Sequence, residues 1–168
     1  MKKVKIGVIS DTHLYGFDPT FKRIVDRYFK EMDLIIHAGD LVDWKVTEIF
    51  RGKDLVVVCG NSDSSNVRVN APKKRILEIE GYSIGVIHGK GPPFGILKRV
   101  RREFPELPHC IIFGHTHRAL KKVVNGTLFF NPGAYKKGLM NLFKGSIGIL
   151  EVERHRGIRA EIINYKLD

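Results

Sequence analysis

The sequence predicts one mixed α/β domain, parallel and helix-linked at its start and built of antiparallel hairpins later, on three observations. Short apolar runs at residues 4–9, 34–38 and 55–59 each end in turn chemistry, as inner strands of a parallel sheet do. An amphipathic helical pattern separates the first two runs, whereas Glu80-Gly81 and Asn125-Gly126 mark hairpin reversals further on. No linker, repeat or low-complexity stretch divides the 168 residues, so residues 1–168 read as a single domain. A chain of this length buries roughly two-thirds of its unfolded surface and needs no disulfide staples.

Taken in order, strand 4–9 runs into Ser10-Asp11-Thr12-His13. Asp18-Pro19 then supplies an N-cap and a first-turn proline. Phe21, Ile24, Val25, Tyr28, Phe29 and Met32 recur at helical steps, with Lys22, Arg23, Arg27 and Lys30 opposite, so this helix is scaffold. Strand 34–38 completes a right-handed βαβ unit and delivers Gly39-Asp40. Asp43 is placed to N-cap a short helix over Trp44–Phe50. Strand 55–59 leads into Gly60-Asn61-Ser62-Asp63, after which Ser64-Ser65-Asn66 reads as loop. Residues 74–79 and 82–87 form a hairpin whose second strand ends on His88-Gly89. Pro92-Pro93 breaks the chain before a basic amphipathic helix over 94–104, with Ile96, Leu97, Val100 and Phe104 inward. Strand 110–113 runs into Gly114-His115-Thr116-His117, and hairpins over 119–124 with 127–130 and over 146–152 with 158–165 complete the chain.

Composition narrows the class. Cys59 and Cys110 both fall in apolar strand-like runs and read as reduced, packed thiols, and charges interrupt every hydrophobic stretch, so a cytoplasmic protein without a membrane span is expected. The net charge of +11 favours anionic partners. The basic residues are nevertheless scattered over many short clusters, which describes solvated faces better than one dedicated groove. Glutamine is absent and 28% of residues are charged, a bias of thermophilic proteins.

Five strand ends therefore deliver carboxylate, amide or imidazole groups to loops, where an open α/β sheet gathers its ligands. Together they can hold two metal ions with Asp40 as the bridge. Mixed imidazole, carboxylate and amide-oxygen donors suit Mn²⁺, Fe, Ni²⁺ or Zn²⁺ better than Ca²⁺, and the lack of thiolate argues against a structural zinc. Glycines beside Asp40, Asn61, His88 and His115 let the backbone turn tightly. His37 reads as a buried, hydrogen-bonded histidine near the site, His109 and His155 as ordinary polar residues, and Asp63 as a brace for its own loop.

The motifs Asp-x-His, Gly-Asp, Gly-Asn-x-Asp, His-Gly and Gly-His-x-His, in this order after apolar strands, resemble those of the calcineurin-like metallophosphoesterase superfamily. The length, the Gly-Asn-x-Asp variant and Asn131-Pro132-Gly133-Ala134 are similar to its small stand-alone prokaryotic phosphodiesterases. The resemblance implies a two-sheet β-sandwich flanked by helices, a four-layer α/β/β/α fold. It also implies one metal on Asp11, His13, Asp40 and His117 and a second on Asp40, Asn61, His88 and His115, with Mn²⁺ the first choice for both. The implied reaction is phosphodiester hydrolysis by a hydroxide bridging the two ions, with Asn61, His88 and His115 as catalytic residues and a small phosphorylated molecule as substrate. Two positions depart from the family pattern. Ser62 stands where many relatives carry a histidine that protonates the leaving group, and Lys90 where a second histidine often follows the one at His88. Two other functions occur on this fold. A scaffold like the retromer subunit would be marked by incomplete metal ligands, and a nuclease, which the charge favours, usually adds a capping domain; the complete ligand set and short chain place both behind the phosphodiesterase.

Overall fold

The computed structural model of the chain describes residues 3–136 and 144–166. In chain order its strands are β1 (Lys3–Ile9), β2 (Leu34–His37), β3 (Leu55–Val57), β4 (Lys74–Ile79) and β5 (Tyr82–Ile87), then β6 (Cys110–Ile112), β7 (Leu120–Val124), β8 (Thr127–Asn131), β9 (Lys144–Glu153) and β10 (Gly157–Lys166). Helices α1 (Pro19–Tyr28), α2 (Ser65–Asn70) and α3 (Ile96–Arg102) and a 3₁₀ helix at Trp44–Phe50 connect them.

Two mixed sheets form, ordered β10-β9-β1-β2-β3 and β4-β5-β6-β8-β7. Alternation along β1 sends Ile6 and Val8 to one face and Ile9 to the other, and both faces are buried. Ile6, Val8, Ile36 and Ala38 pack across the gap against Ile84, Val86, Ile112 and Phe130 of the second sheet, so the sheets share one core. On the outer face of the first sheet, Phe21, Val25 and Phe29 of the α1 segment and Phe50 of the 3₁₀ helix cover Ile9 and Ile35. On the outer face of the second, Ile96, Val100 and Phe104 cover Ile87, Ile111 and Phe129. Fully burying each such side chain stabilises by roughly 1.5–3 kcal/mol, which makes these three apolar layers the main support of the fold. The order helix, sheet, sheet, helix is the four-layer sandwich.

Where sequence and structure differ, the causes are local. The late strands are not purely antiparallel: β6 runs parallel to both β5 and β8. Its three residues carry no mark of partner direction, which the crossover through α3 and the β7–β8 hairpin set. Residues 65–70, of which the sequence reads Ser65 and Asn66 as loop, form α2, whose single buried side chain is Val67. The helix expected over 94–104 starts only at Ile96, because Gly95 adopts φ 73°, and it leaves Phe94 87% exposed. Asp43 does cap the 44–50 helix, accepting a hydrogen bond from Lys45 N, and Asp18 caps α1 through Phe21 N.

Function follows from direction. β1, β2 and β3 are parallel, so their carboxyl ends share one edge of the first sheet, and β5 and β6 do the same in the second. The loops are stitched across the sandwich: His88 Nδ1 donates to Ala38 O at 2.8 Å, and His115 N to Asp11 Oδ2 at 3.0 Å.

Candidate metal centre

Five of the seven metal ligands singled out in the sequence sit in backbone that few side chains tolerate. Asp11 (φ 54°), His13 (50°), Asp40 (55°), His115 (70°) and His117 (56°) are all left-handed. Each costs on the order of 1 kcal/mol, a strain that packing must offset and that clusters at functional sites.

Two groups of donor atoms result. Asp11, His13 and His117 form one, and Asp11, Asp40 and His88 form the other. Asp11 is common to both, whereas the sequence reading gave that place to Asp40. In the first group His117 Nε2 lies 3.3 Å from Asp11 Oδ1 and 3.2 Å from His13 Nε2. In the second, His88 Nε2 lies 3.3 Å from Asp40 Oδ2 and 3.9 Å from Asp11 Oδ1. Asp40 Oδ2 also stands 3.8 Å from His13 Nε2, so this carboxylate reaches towards both groups.

Asp11 Oδ1 and His88 Nε2 are buried and make no aligned hydrogen bond. Leaving such groups unsatisfied costs roughly 1–3 kcal/mol each, so the arrangement calls for a cation. The shorter separations, 3.2–3.3 Å, fit one. Two donors bound about 2.1 Å from one ion, at angles between octahedral and tetrahedral, lie about 3.0–3.4 Å apart. The donor chemistry agrees, because His88 Nδ1–H is committed to Ala38 O and its Nε2 therefore presents a lone pair.

His115 and Asn61 lie beside these groups. His115 Nδ1 stands 2.9 Å from Asn61 Oδ1, while His115 Nε2 lies 2.7 Å from Gly91 O and must donate to it. In a neutral ring the Nδ1 lone pair then meets the Asn61 oxygen, two acceptors face to face as they would be around a shared cation, and the ring makes a T-shaped contact with that of His88, 5.3 Å between centroids.

The charges are organised by the same contacts. Burial alone would raise the Asp40 carboxyl, but His88 and the Ser62 N–H and O–H hold it well below the usual range. Ser62 N donates to Asp40 Oδ1 at 2.8 Å and Ser62 Oγ to Oδ2 at 2.9 Å, so Ser62 orients the carboxylate. Burial alone would lower His88, yet Asp40 and Asp11 raise it; the hydrogen bond and charge of Asp11 likewise raise His117. Asp63, 4% exposed, accepts from Val42 N and Gly60 N, both at 2.6 Å, and from Asp40 N at 3.2 Å. Asn131 performs the matching task for the Gly-His-x-His loop, donating to Gly114 O at 2.9 Å and Thr116 Oγ1 at 3.1 Å.

Glycines serve two separate needs here. Gly39 (φ 94°) supplies conformation and also room beside His88, while Gly60 and Gly114 supply room alone: a methyl on Gly60 would overlap Asp40 Oδ1, and one on Gly114 would overlap Ser10 Oγ.

His37 is fully buried and neutral. It accepts from Gly39 N at 3.3 Å through Nδ1, so Nε2–H donates to Thr12 Oγ1 at 3.0 Å. Burial lowers its pKa to about 4, against the opposing pull of Asp63 and Asp11. Between about pH 6.5 and 4 the unfolded chain takes up a proton at this site that the folded chain refuses. Stability contributed by His37 is therefore present above about pH 6.5 and lost as pH falls towards 4, by about 3 kcal/mol. Denaturant midpoints of the metal-free protein should show the advantage of wild type over His37→Asn shrinking by that amount between pH 7 and 4. A difference that stays constant would mean that His37 charges inside the fold.

Among the described residues no helix is long and apolar enough to cross a membrane. The model of the calcineurin-like phosphoesterase superfamily domain matches residues 4–155. A probable metallophosphoesterase of Methanothermobacter thermautotrophicus is 32% identical over 160 residues, covering 94% of this chain and 91% of that protein. A phosphodiesterase of Methanocaldococcus jannaschii is 26% identical over 168 residues, covering 90% of this chain and 95% of its own length. Among solved structures, Vps29 from Entamoeba histolytica complexed with Zn²⁺ superposes with a TM-score of 0.72 at 22% identity, over 96% of this chain and 99% of that one.

Proposed function

The chain belongs to the calcineurin-like phosphoesterase superfamily and is a metal-dependent phosphoesterase, and on that premise we propose that it is a phosphodiesterase working with two divalent transition-metal ions, Mn²⁺ first among them. The observation that carries the dinuclear reading is the pair of orphaned, buried donors, Asp11 Oδ1 and His88 Nε2, in two donor groups that share Asp11. In this reading Asp11, His13, Asp40 and His117 hold one ion and Asp40, Asn61, His88 and His115 the other, with Asp11 close enough to both groups to share the bridging task.

Two such ions supply a water of lowered pKa as nucleophile and Lewis acidity towards the phosphoryl oxygens. The residues supply the rest. Ala38 O and Gly91 O fix the tautomers of His88 and His115, so that each ring offers its lone pair towards the site. Asn61 Nδ2 remains a donor for a substrate phosphoryl oxygen when its Oδ1 faces a metal. The name of the Methanocaldococcus jannaschii relative supports diesters as the substrate class.

Ser62 shapes that preference. Its hydroxyl is spent on Asp40, so it protonates no leaving group. A diester with a leaving group of low pKa needs no such proton, whereas an alkyl monoester does. The Mn²⁺-loaded protein should therefore hydrolyse bis(p-nitrophenyl) phosphate well and alkyl phosphomonoesters poorly, and Ser62→His should move the ratio of kcat/KM values towards monoesters by about 10²-fold. A wild type faster on alkyl monoesters, or a fully metallated variant with an unmoved ratio, would overturn this account.

A further inference from the structure

Beside Asn61 and His88 opens a cleft of about 220 Å³. Four cations from four segments line it: Arg68 of α2, Lys73 ahead of β4, Lys90 after β5 and Arg99 of α3. A single carboxylate, Glu103, faces them, and its Oε1 is taken by Lys90 Nζ at 3.2 Å.

The other three cations have no carboxylate partner among the described residues. Arg68 is held by peptide carbonyls, donating from Nε to Asp63 O at 2.8 Å and from a terminal nitrogen to Asn61 O at 2.9 Å. Arg99 donates to Lys90 O at 2.9 Å, to Phe94 O at 2.8 Å and to Pro92 O. Carbonyls fix a guanidinium in place and leave its unit charge intact, so Arg68 and Arg99 carry fixed positive charge, to which the exposed Lys73 adds its own. The floor is apolar, from Ile87, Val100 and Cys59. Burial dominates at Cys59 and, with the charge of Asp63, raises its thiol, while Arg68 and Lys73 act in the opposite sense.

A cationic wall with two fixed guanidiniums over an apolar floor, opening beside the reacting centre, fits a compact anion joined to the scissile group by an organic spacer. We propose that this cleft binds a second phosphate of the substrate, so that the natural substrates are phosphodiesters bearing another phosphate a few bonds from the scissile one. The inference rests on the phosphodiesterase reading for its link to turnover, but not for the binding itself. A phosphate dianion accepts from several cations at once, whereas duplex nucleic acid needs an extended groove that a cleft of this size does not offer.

Calorimetric titration with thymidine 5′-monophosphate and thymidine 3′,5′-bisphosphate tests it without requiring hydrolysis. With Mn²⁺-loaded protein, whose ions would hold the first phosphate, the bisphosphate should bind about tenfold tighter or more than the monophosphate. Lys73→Gln should reduce that advantage several-fold and Lys73→Arg should keep it, while Lys122→Gln, which removes an equal charge from exposed β7, should not change it. Equal affinities in the wild type, or an advantage that Lys122→Gln reduces as much as Lys73→Gln, would overturn the proposal. Absence of bis(p-nitrophenyl) phosphate turnover beside an intact bisphosphate advantage would refute the phosphodiesterase reading and leave the second-phosphate site standing.

Discussion

Asp40→Asn should lower kcat/KM of the Mn²⁺-loaded protein by about 10³-fold or more, equivalent to roughly 4 kcal/mol of transition-state stabilisation. The substitution keeps size and one carbonyl oxygen, so Ser62 N retains its acceptor. What it removes is the second anionic oxygen, the one 3.3 Å from His88 Nε2 and 3.8 Å from His13 Nε2. An amide nitrogen in that place turns a donor towards positions where cations bind. Asp11→Asn should be at least as damaging, because Asp11 Oδ1 faces His13, His88 and His117 together. Elemental analysis after reconstitution should find fewer than two ions per chain in both variants, with far-UV circular dichroism unchanged. Two retained ions and activity above a tenth of wild type in Asp40→Asn would remove this carboxylate from the bridging role.

The positions of these groups along the chain were legible because each terminates an apolar strand, a local pattern that survives without knowledge of the fold. Asp11, Asp40, His88 and His117 could be read in this way. Their grouping came only through the family resemblance, which put Asp11, His13 and His117 together as the structure does, and it left the shared place to Asp40. That Asp11 is common to both donor groups depends on His88 arriving from the second sheet, and the tautomer of His115 depends on a carbonyl 24 residues away. The 90–94 segment is likewise set by Arg99, a residue that in the sequence looks like any cation on a basic helix. α2 escaped notice for a different reason, since one buried valine in six residues leaves no periodicity to detect.

Asp63 is where the largest loss of stability is expected. Its carboxylate is buried and binds three backbone N–H groups, of Val42, Gly60 and Asp40, and its own carbonyl is held by Arg68. Two of those three residues have positive φ, Asp40 at 55° and Val42 at 79°, the latter a β-branched residue that rarely adopts this region. The anion thus compensates strain in the segment that aims Asp40. Asp63→Ala would strand three buried donors at roughly 1–3 kcal/mol each, so a loss of about 4 kcal/mol or more is expected. Asp63→Asn should be nearly as harmful, because its amide nitrogen would confront N–H groups where an oxygen now accepts. Denaturant midpoints of the metal-free variants measure the stability term directly. Metal titration of whatever remains folded should show affinity lowered by about 10- to 100-fold, the usual effect of removing a group that orients a ligand. If Asp63→Asn stays within about 1 kcal/mol of wild type, the three hydrogen bonds do not hold this turn, and the left-handed geometry of Asp40 must be imposed by the strands on either side.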